Sequence, residues 1–155
     1  MQNLIKQSHL RLLESRRTIA TAESCTAGLL SYLLTRFSGS SRFFILGVTA
    51  YSNQAKETIL GIPASIIREN GAVSRKIAFL MAKSIRKLAK ADFGIGITGI
   101  AGPTGAVPQK PLGTVFIAIS SKNRNLCKKF VFQGGRNRVR KQAALKTLQL
   151  LITFL

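Results

Sequence analysis

The sequence predicts an α/β fold: a three-layer α/β/α sandwich on a mixed, mostly parallel sheet that finishes in a C-terminal antiparallel hairpin. Three observations carry that prediction. Apolar runs of strand length alternate with segments of helical periodicity, an order that builds parallel pairings with helices on both faces of one sheet. The last two runs, GTVFIAIS (113–120) and LCKKFVFQ (126–133), are joined only by the turn SKNRN, too short for a crossover, so they pair as a hairpin. Length and composition agree, because 155 residues, 46% of them hydrophobic, fit a single domain spanning 1–155 with enough apolar surface for a core.

In chain order, residues 4–16 set Leu4, Ile5, Leu12 and Leu13 among polar residues as an amphipathic helix, and Thr18 to Ala22 follows as a short strand. From Thr26 to Phe37 the apolar positions Leu29, Leu30, Leu33, Leu34 and Phe37 keep helical spacing, with Ser24 or Thr26 as the cap. SGSS turns the chain into RFFILGVTAY (42–51), apolar enough to be predicted a central strand. Ser52 or Asn53 caps a short helix ending before Gly61, and Pro63 opens another that ends near Asn70-Gly71. Ser74 caps a longer helix with Ile77, Met81, Ile85 and Leu88 on one face. ADFGIGIT (91–98) is the next strand, followed by a Gly/Pro-rich loop that runs to Gly113. After the hairpin, Gly134-Gly135 breaks the chain ahead of a last helix from Arg136, whose Val139, Ala143, Leu148, Leu151 and Ile152 dock on the sheet. The predicted order is α-β-α-β-α-α-α-β-β-β-α.

Shortages in the composition narrow the chemistry. His9 is the only histidine and belongs to the opening helix, so a histidine-based triad is poorly supplied and a multi-histidine metal site is excluded. Five acidic residues give little material for paired-carboxylate catalysis or a caged magnesium ion. Cys25 and Cys127 match no CxxC pattern and read as free thiols. No apolar run approaches the roughly 20 residues of a membrane span, and MQNLIKQSHLRLLESRR has no signal-peptide core, so a soluble, cytoplasmic protein with no membrane partner is expected. A formal charge of +19 asks for an anionic partner. The cations are nevertheless spread from Lys6 to Lys146 with no tryptophan and no aromatic-basic ladder, so nucleic acid is a partner the sequence allows without favouring.

GIGITG (94–99) spells the dinucleotide fingerprint, but the fingerprint belongs between a strand and a helix. Here the glycines lie within a strand, where alternate glycines mark the close approach of another backbone or a ligand. The loop between Gly99 and Gly113, with Thr98, Gly102, Gly105 and Lys110, suits successive N–H groups turned toward an anion, and so favours a phosphate or substrate loop. In GGRNRVRK, Arg136 and Arg140 lie one turn apart at a helix N-terminus; they form either an exposed basic face or part of a phosphate site. Ser24, at a strand-to-helix turn, has the position of a nucleophile but needs a base. Lys56 suits that role if desolvated, with Tyr51 as proton relay. On residue types alone, a capping serine and a surface lysine remain the competing reading. A helix N-terminus directly after Cys25 predicts a lowered thiol pKa.

ATAESCTAGLL, GVTAYSNQAKETILGI, ENGAVS, TGIAGPTG and QKPLGTV, in this order, resemble the CinA C-terminal domain family, which includes nicotinamide-nucleotide amidohydrolases. The resemblance covers about residues 5 to 153. It implies an α/β/α sandwich that hydrolyses the carboxamide of nicotinamide mononucleotide to nicotinate mononucleotide and ammonia, without metal or organic cofactor, in a homo-oligomer, commonly a dimer. The family's functional positions fall on Ser24 as nucleophile, Lys56 as base and Tyr51 as its partner. Glu23, Cys25 and Thr26 of the first motif, Thr98, Gly99, Gly102 and Gly105 of the loop, and Arg136 and Arg140 would hold the substrate. Two positions depart from the family pattern: Ala27 and Ala106 stand where glycine is usual. A methyl group obstructs either site if positive φ is required there. Two alternatives follow, a catalytically impaired member that binds a nucleotide or a protein partner, and a basic nucleic-acid-associated protein.

Overall fold

Twelve short elements follow one another along residues 2–155, the part of the chain that the structure, a computed structural model, describes. They are α1 (Gln2–Ser15), β1 (Ile19–Glu23), α2 (Leu29–Leu34), a single 3-10 turn (Ser40–Arg42), β2 (Phe44–Thr49), α3 (Asn53–Thr58), α4 (Ala64–Asn70), α5 (Arg75–Leu88), β3 (Phe93–Gly99), β4 (Thr114–Ser120), β5 (Asn125–Val131) and α6 (Arg136–Phe154). The sheet order is β2-β1-β3-β4-β5. β1 pairs in parallel with both β2 and β3, whereas β4 is antiparallel to β3 and to β5. Four strands therefore share one direction and β4 alone is reversed. The predicted α/β/α sandwich with a mostly parallel sheet and a terminal hairpin is the fold observed.

Alternation along the strands divides the core into two layers. Ile95, Ile97, Ile117 and Ile119 pack against Ile5 and Leu12 of α1, Leu30 and Leu34 of α2, and Val139, Leu148 and Leu151 of α6. On the opposite face, Ala20 and Ala22 meet Leu60, Ile62 and Ile67 together with Ile77, Met81 and Ile85 of α5. Ser52 accepts from the Ala55 N–H (3.0 Å) and Ser74 from the Ile77 N–H (3.3 Å), so α3 and α5 start at predicted caps. Among the described residues no helix is long and apolar enough to cross a membrane.

The alternate glycines of β3 are explained here. A Cβ on Gly94 or Gly96 would collide with the Ala82 or the Ala78 carbonyl of α5. The missing side chains let a helix backbone lie directly on the strand, which is why GIGITG mimics a nucleotide fingerprint without being one. One prediction needs correction: β2, expected to be central, is an edge strand. Only β1 lies beside it, its residues alternate between partly buried and exposed, and Ile45 is 49% exposed. Leu46 and Val48 pack on the α5 side, while Phe44 packs against the opposite cluster. An apolar strand reads the same whether a neighbour lies on one side or two.

Candidate active site

The opening motif folds into a compact turn. The Ser24 N–H donates to the Ile97 carbonyl (2.9 Å), which holds the chain to β3 for one residue beyond β1. Ala27 N–H then bonds to the Ser24 carbonyl (3.1 Å) and Leu29 N–H to the Thr26 carbonyl (3.2 Å), two turns that intervene before α2. Between them Ala27 and Gly28 adopt left-handed φ values of 49° and 86°. The helix expected from Thr26 thus starts only at Leu29, and neither Ser24 nor Thr26 caps it. The cap is Glu23. This fully buried carboxylate accepts from Leu30 N–H (3.0 Å), Ser31 N–H (2.8 Å) and the Ser31 hydroxyl (2.7 Å). Glu23→Ala would strand those donors and is expected to cost about 3 kcal/mol in urea denaturation.

Of the two departures from the family glycines, Ala27 sits at positive φ and Ala106 does not. A left-handed alanine costs about 1–2 kcal/mol, part of which glycine forfeits through unfolded-state entropy. Ala27→Gly is therefore expected to stabilise the protein by about 0.5–1 kcal/mol, measurable as a rise in denaturation midpoint, whereas Ala106→Gly should give no gain.

Beside this turn lies a cavity of about 230 Å³ at the carboxyl ends of β1 and β3, lined by Ser24, Cys25, Tyr51, Lys56, Thr98, Gly99 and Arg136. Asn53, Ala72, Val73 and Ala101 also line it, and sequence reasoning missed all four. Asn53 belongs to the YSNQAK motif and Ala72 and Val73 to ENGAVS, so motif membership was the available signal. Lys56, only 1% exposed, donates from Nζ to the carbonyls of Tyr51 (3.1 Å) and Ser52 (3.3 Å), and no carboxylate pairs with it among the described residues. Burial pushes its pKa below the ordinary 10.5. Ser24 Oγ faces the same cavity and makes no hydrogen bond among the described residues, neither to Lys56 nor to another group. Cys25 is 6% exposed, and burial drives its thiol up to about 12. The lowered value expected of a helix N-terminus fails because α2 begins four residues later, leaving desolvation dominant.

Across the mouth, Arg136 donates from Nη2 to the Tyr51 hydroxyl (2.6 Å) and from Nη1 to the Gly102 carbonyl (2.8 Å). This joins α6, the β3–β4 loop and the end of β2. Thr98 Oγ1 donates to the Ala72 carbonyl (2.8 Å), and a Cβ on Gly99 would stand 2.7 Å from Val115 and 3.0 Å from the Cys25 sulfur. Five named residues do not line the cavity. Glu23 is committed to α2, and Thr26 is buried with an unpartnered hydroxyl. Gly102 offers its carbonyl to Arg136, and Gly105, at φ 93°, lies in the exposed loop. Arg140 donates from Nη2 to the Thr26 carbonyl (3.0 Å), bracing the Ser24 turn from α6. Among the described residues no group of three His, Cys, Asp or Glu is placed to hold a metal.

In open α/β sheets, ligands gather outside the carboxyl ends of the strands, where the Ser24 cavity is found. Fold and site together define a single-sheet α/β/α domain with a small cavity at the carboxyl ends of its strands. The chain belongs to the CinA C-terminal domain family, whose model matches residues 1–155. A CinA-like protein of Syntrophus aciditrophicus is 51% identical over 142 residues, covering 89% of this chain and 34% of the relative. A CinA-like protein of an Anaeromyxobacter species is 45% identical over 141 residues, covering 91% and 34%. The chain thus spans about a third of the length of these relatives. The crystal structure of a competence-damaged protein (CinA) superfamily protein from Escherichia coli superposes with a TM-score of 0.93 at 33% identity, covering 99% of this chain and 89% of that one. That of the competence/damage inducible protein CihA from Agrobacterium tumefaciens gives 0.93 at 33%, covering 97% and 93%.

Proposed function

We propose that this domain hydrolyses the carboxamide of nicotinamide mononucleotide to nicotinate mononucleotide and ammonia, through a covalent intermediate on Ser24. The observation that carries this reading is Lys56, a buried amine of lowered pKa, paired only with backbone carbonyls among the described residues, in the cavity that Ser24 lines. Such an amine releases its proton more readily than a solvated lysine and can serve as a base where histidine is absent.

In this reading neutral Lys56 takes the Ser24 proton as Oγ bonds to the carboxamide carbon. The N–H groups of Cys25 and Thr26, without an acceptor among the described residues, are the donors available to the resulting oxyanion. Lys56 returns the proton to the departing nitrogen, the C–N bond breaks and ammonia leaves an acyl-Ser24. Water then attacks the acyl carbon and yields a proton to Lys56, which passes it back to Oγ as the acid departs. Arg136, now bound to two neutral acceptors, can exchange them for a substrate phosphate, a stronger partner for a guanidinium.

Ammonia release from nicotinamide mononucleotide by the wild type, falling at least about 10³-fold in Ser24→Ala, is the expected result. A wild type that releases none overturns the reading. The positive φ of Ala27, three residues beyond Ser24, favours a second reading: an impaired member that binds the nucleotide without turnover. An inert wild type whose Ala27→Gly variant releases ammonia would support that reading instead.

A further inference from the structure

The candidate active site uses little of the +19 charge, and the molecule has a larger recess elsewhere. At the opposite end of the sheet, where β1 and β3 begin and β4 turns into β5, a cleft of about 510 Å³ is lined by Arg17, Arg86, Lys90, Asp92 and Lys122. The length of the seven-residue β3, about 20 Å, separates it from the Ser24 cavity. Asp92 is its only acidic side chain and is already satisfied. It accepts from Arg17 Nη1 (3.1 Å), Thr18 N–H (2.9 Å) and Thr18 Oγ1 (3.0 Å), and these bonds, the backbone one foremost, hold its carboxyl below the usual range. Arg17–Asp92 is the one salt bridge among the described residues.

That leaves three cations of the lining outside any ion pair, with Leu155, the last residue of the sequence, also bordering the cleft. Among the described residues the side chains of Arg86, Lys90 and Lys122 make neither hydrogen bond nor ion pair. They converge from separate elements: Arg86 from the last turn of α5, Lys90 from a left-handed residue (φ 51°) just after it, and Lys122 from the β4–β5 turn. Arg86 Nε is buried with no acceptor among the described residues, a donor whose lost hydration nothing replaces. Elsewhere the excess lysines and arginines can be regarded as a solvated coat. Here three of them border one concave space, and one has a dry donor. An anion with several oxygens would pair all three at once, and cations set around a cleft rather than at a point match linked phosphates better than a single one.

We infer that this cleft is a second binding site, for a chain of linked phosphates such as inorganic triphosphate or the phosphate arm of a nucleoside triphosphate. The inference stands apart from the proposed amidohydrolase reading, since none of its residues lines the Ser24 cavity.

Calorimetric titration of inorganic triphosphate into the full chain at physiological ionic strength tests it. Saturable one-to-one binding is expected, weakened at least about tenfold in Arg86→Gln/Lys122→Gln. The change should stay below about twofold in Lys6→Gln/Lys83→Gln, which removes the same charge outside the cleft. Because Arg86 is partly buried, Lys90→Gln/Lys122→Gln repeats the test on exposed side chains, with thermal melts to verify folding. A parallel ATP titration identifies the source: equal affinity points to the phosphate chain alone, tighter binding to a nucleotide, and both support the site. Absence of saturable binding, or equal weakening in the control pair, would mean overall charge only and overturn the inference. So would a single-stranded oligonucleotide that outcompetes triphosphate and is equally lost in the cleft variants.

Discussion

Lys56→Met is expected to abolish ammonia release, by about 10³-fold in kcat, while making the fold more stable by about 1 kcal/mol. The opposite signs share one cause. The amine is buried with no carboxylate paired to it among the described residues, so its charge costs folding energy, and in the proposed reaction the same burial readies it to take a proton from Ser24. Folded Lys56 holds its proton less tightly than unfolded Lys56, so below pH 10.5 the unfolded chain binds more protons. Its contribution to stability is therefore intact above pH 10.5, is lost as pH falls toward and through the folded pKa, and levels off beneath it. Urea denaturation of wild type and Lys56→Met, compared between neutral pH and pH 10.5, isolates that limb from the repulsion among the other cations, because only the wild type has it. The rate of amide hydrolysis should rise with pH along the same titration. A variant that retains activity within tenfold of wild type would remove Lys56 from the role of base.

Gly96→Ala carries a large expected loss of stability. Its Cβ would strike the Ala78 carbonyl and approach Ala82 N to 2.6 Å, and both are helix backbone that a rotamer change cannot move. Either α5 lifts from β3 or the sheet buckles, and a penalty of about 3 kcal/mol follows, roughly 10 °C in melting temperature for a chain of this length. Gly135→Ala is the control. That glycine has nothing within 4 Å of a built Cβ and an ordinary φ of −69°, so the change should stay within about 0.5 kcal/mol.

Those two residues also mark how far the sequence could be read. Element identity was legible because it depends on periodicity and local caps: α5 announced itself through Ile77, Met81 and Ile85, and Ser52 and Ser74 sit at their predicted ends. The β3 glycines disclosed a close approach but not which backbone makes it. What remained hidden depends on neighbours in space. FILGV is equally apolar beside one strand or two, so the edge position of β2 left no trace. The late start of α2 escaped because its cap, Glu23, lies six residues before Leu29, outside any local capping pattern. Two consecutive left-handed residues delay the helix, and the expected effect on Cys25 disappears with it. The pairing of Arg136 with Tyr51 spans 85 residues, which no spacing rule can reveal.

The reversal of β4 sets the order in which the pocket can be completed. Running back down the sheet, it lets β5 climb again to the end where Ser24 lies and start α6 there. Arg140 then braces a carbonyl 114 residues upstream. Closing so long a span carries a loop-closure cost that local pairings do not. On the ribosome, a nascent chain that has emerged only as far as the hairpin has its serine and lysine but neither arginine. The pocket is thus completed by α6, and its arginine-bridged mouth cannot form until translation has passed residue 140.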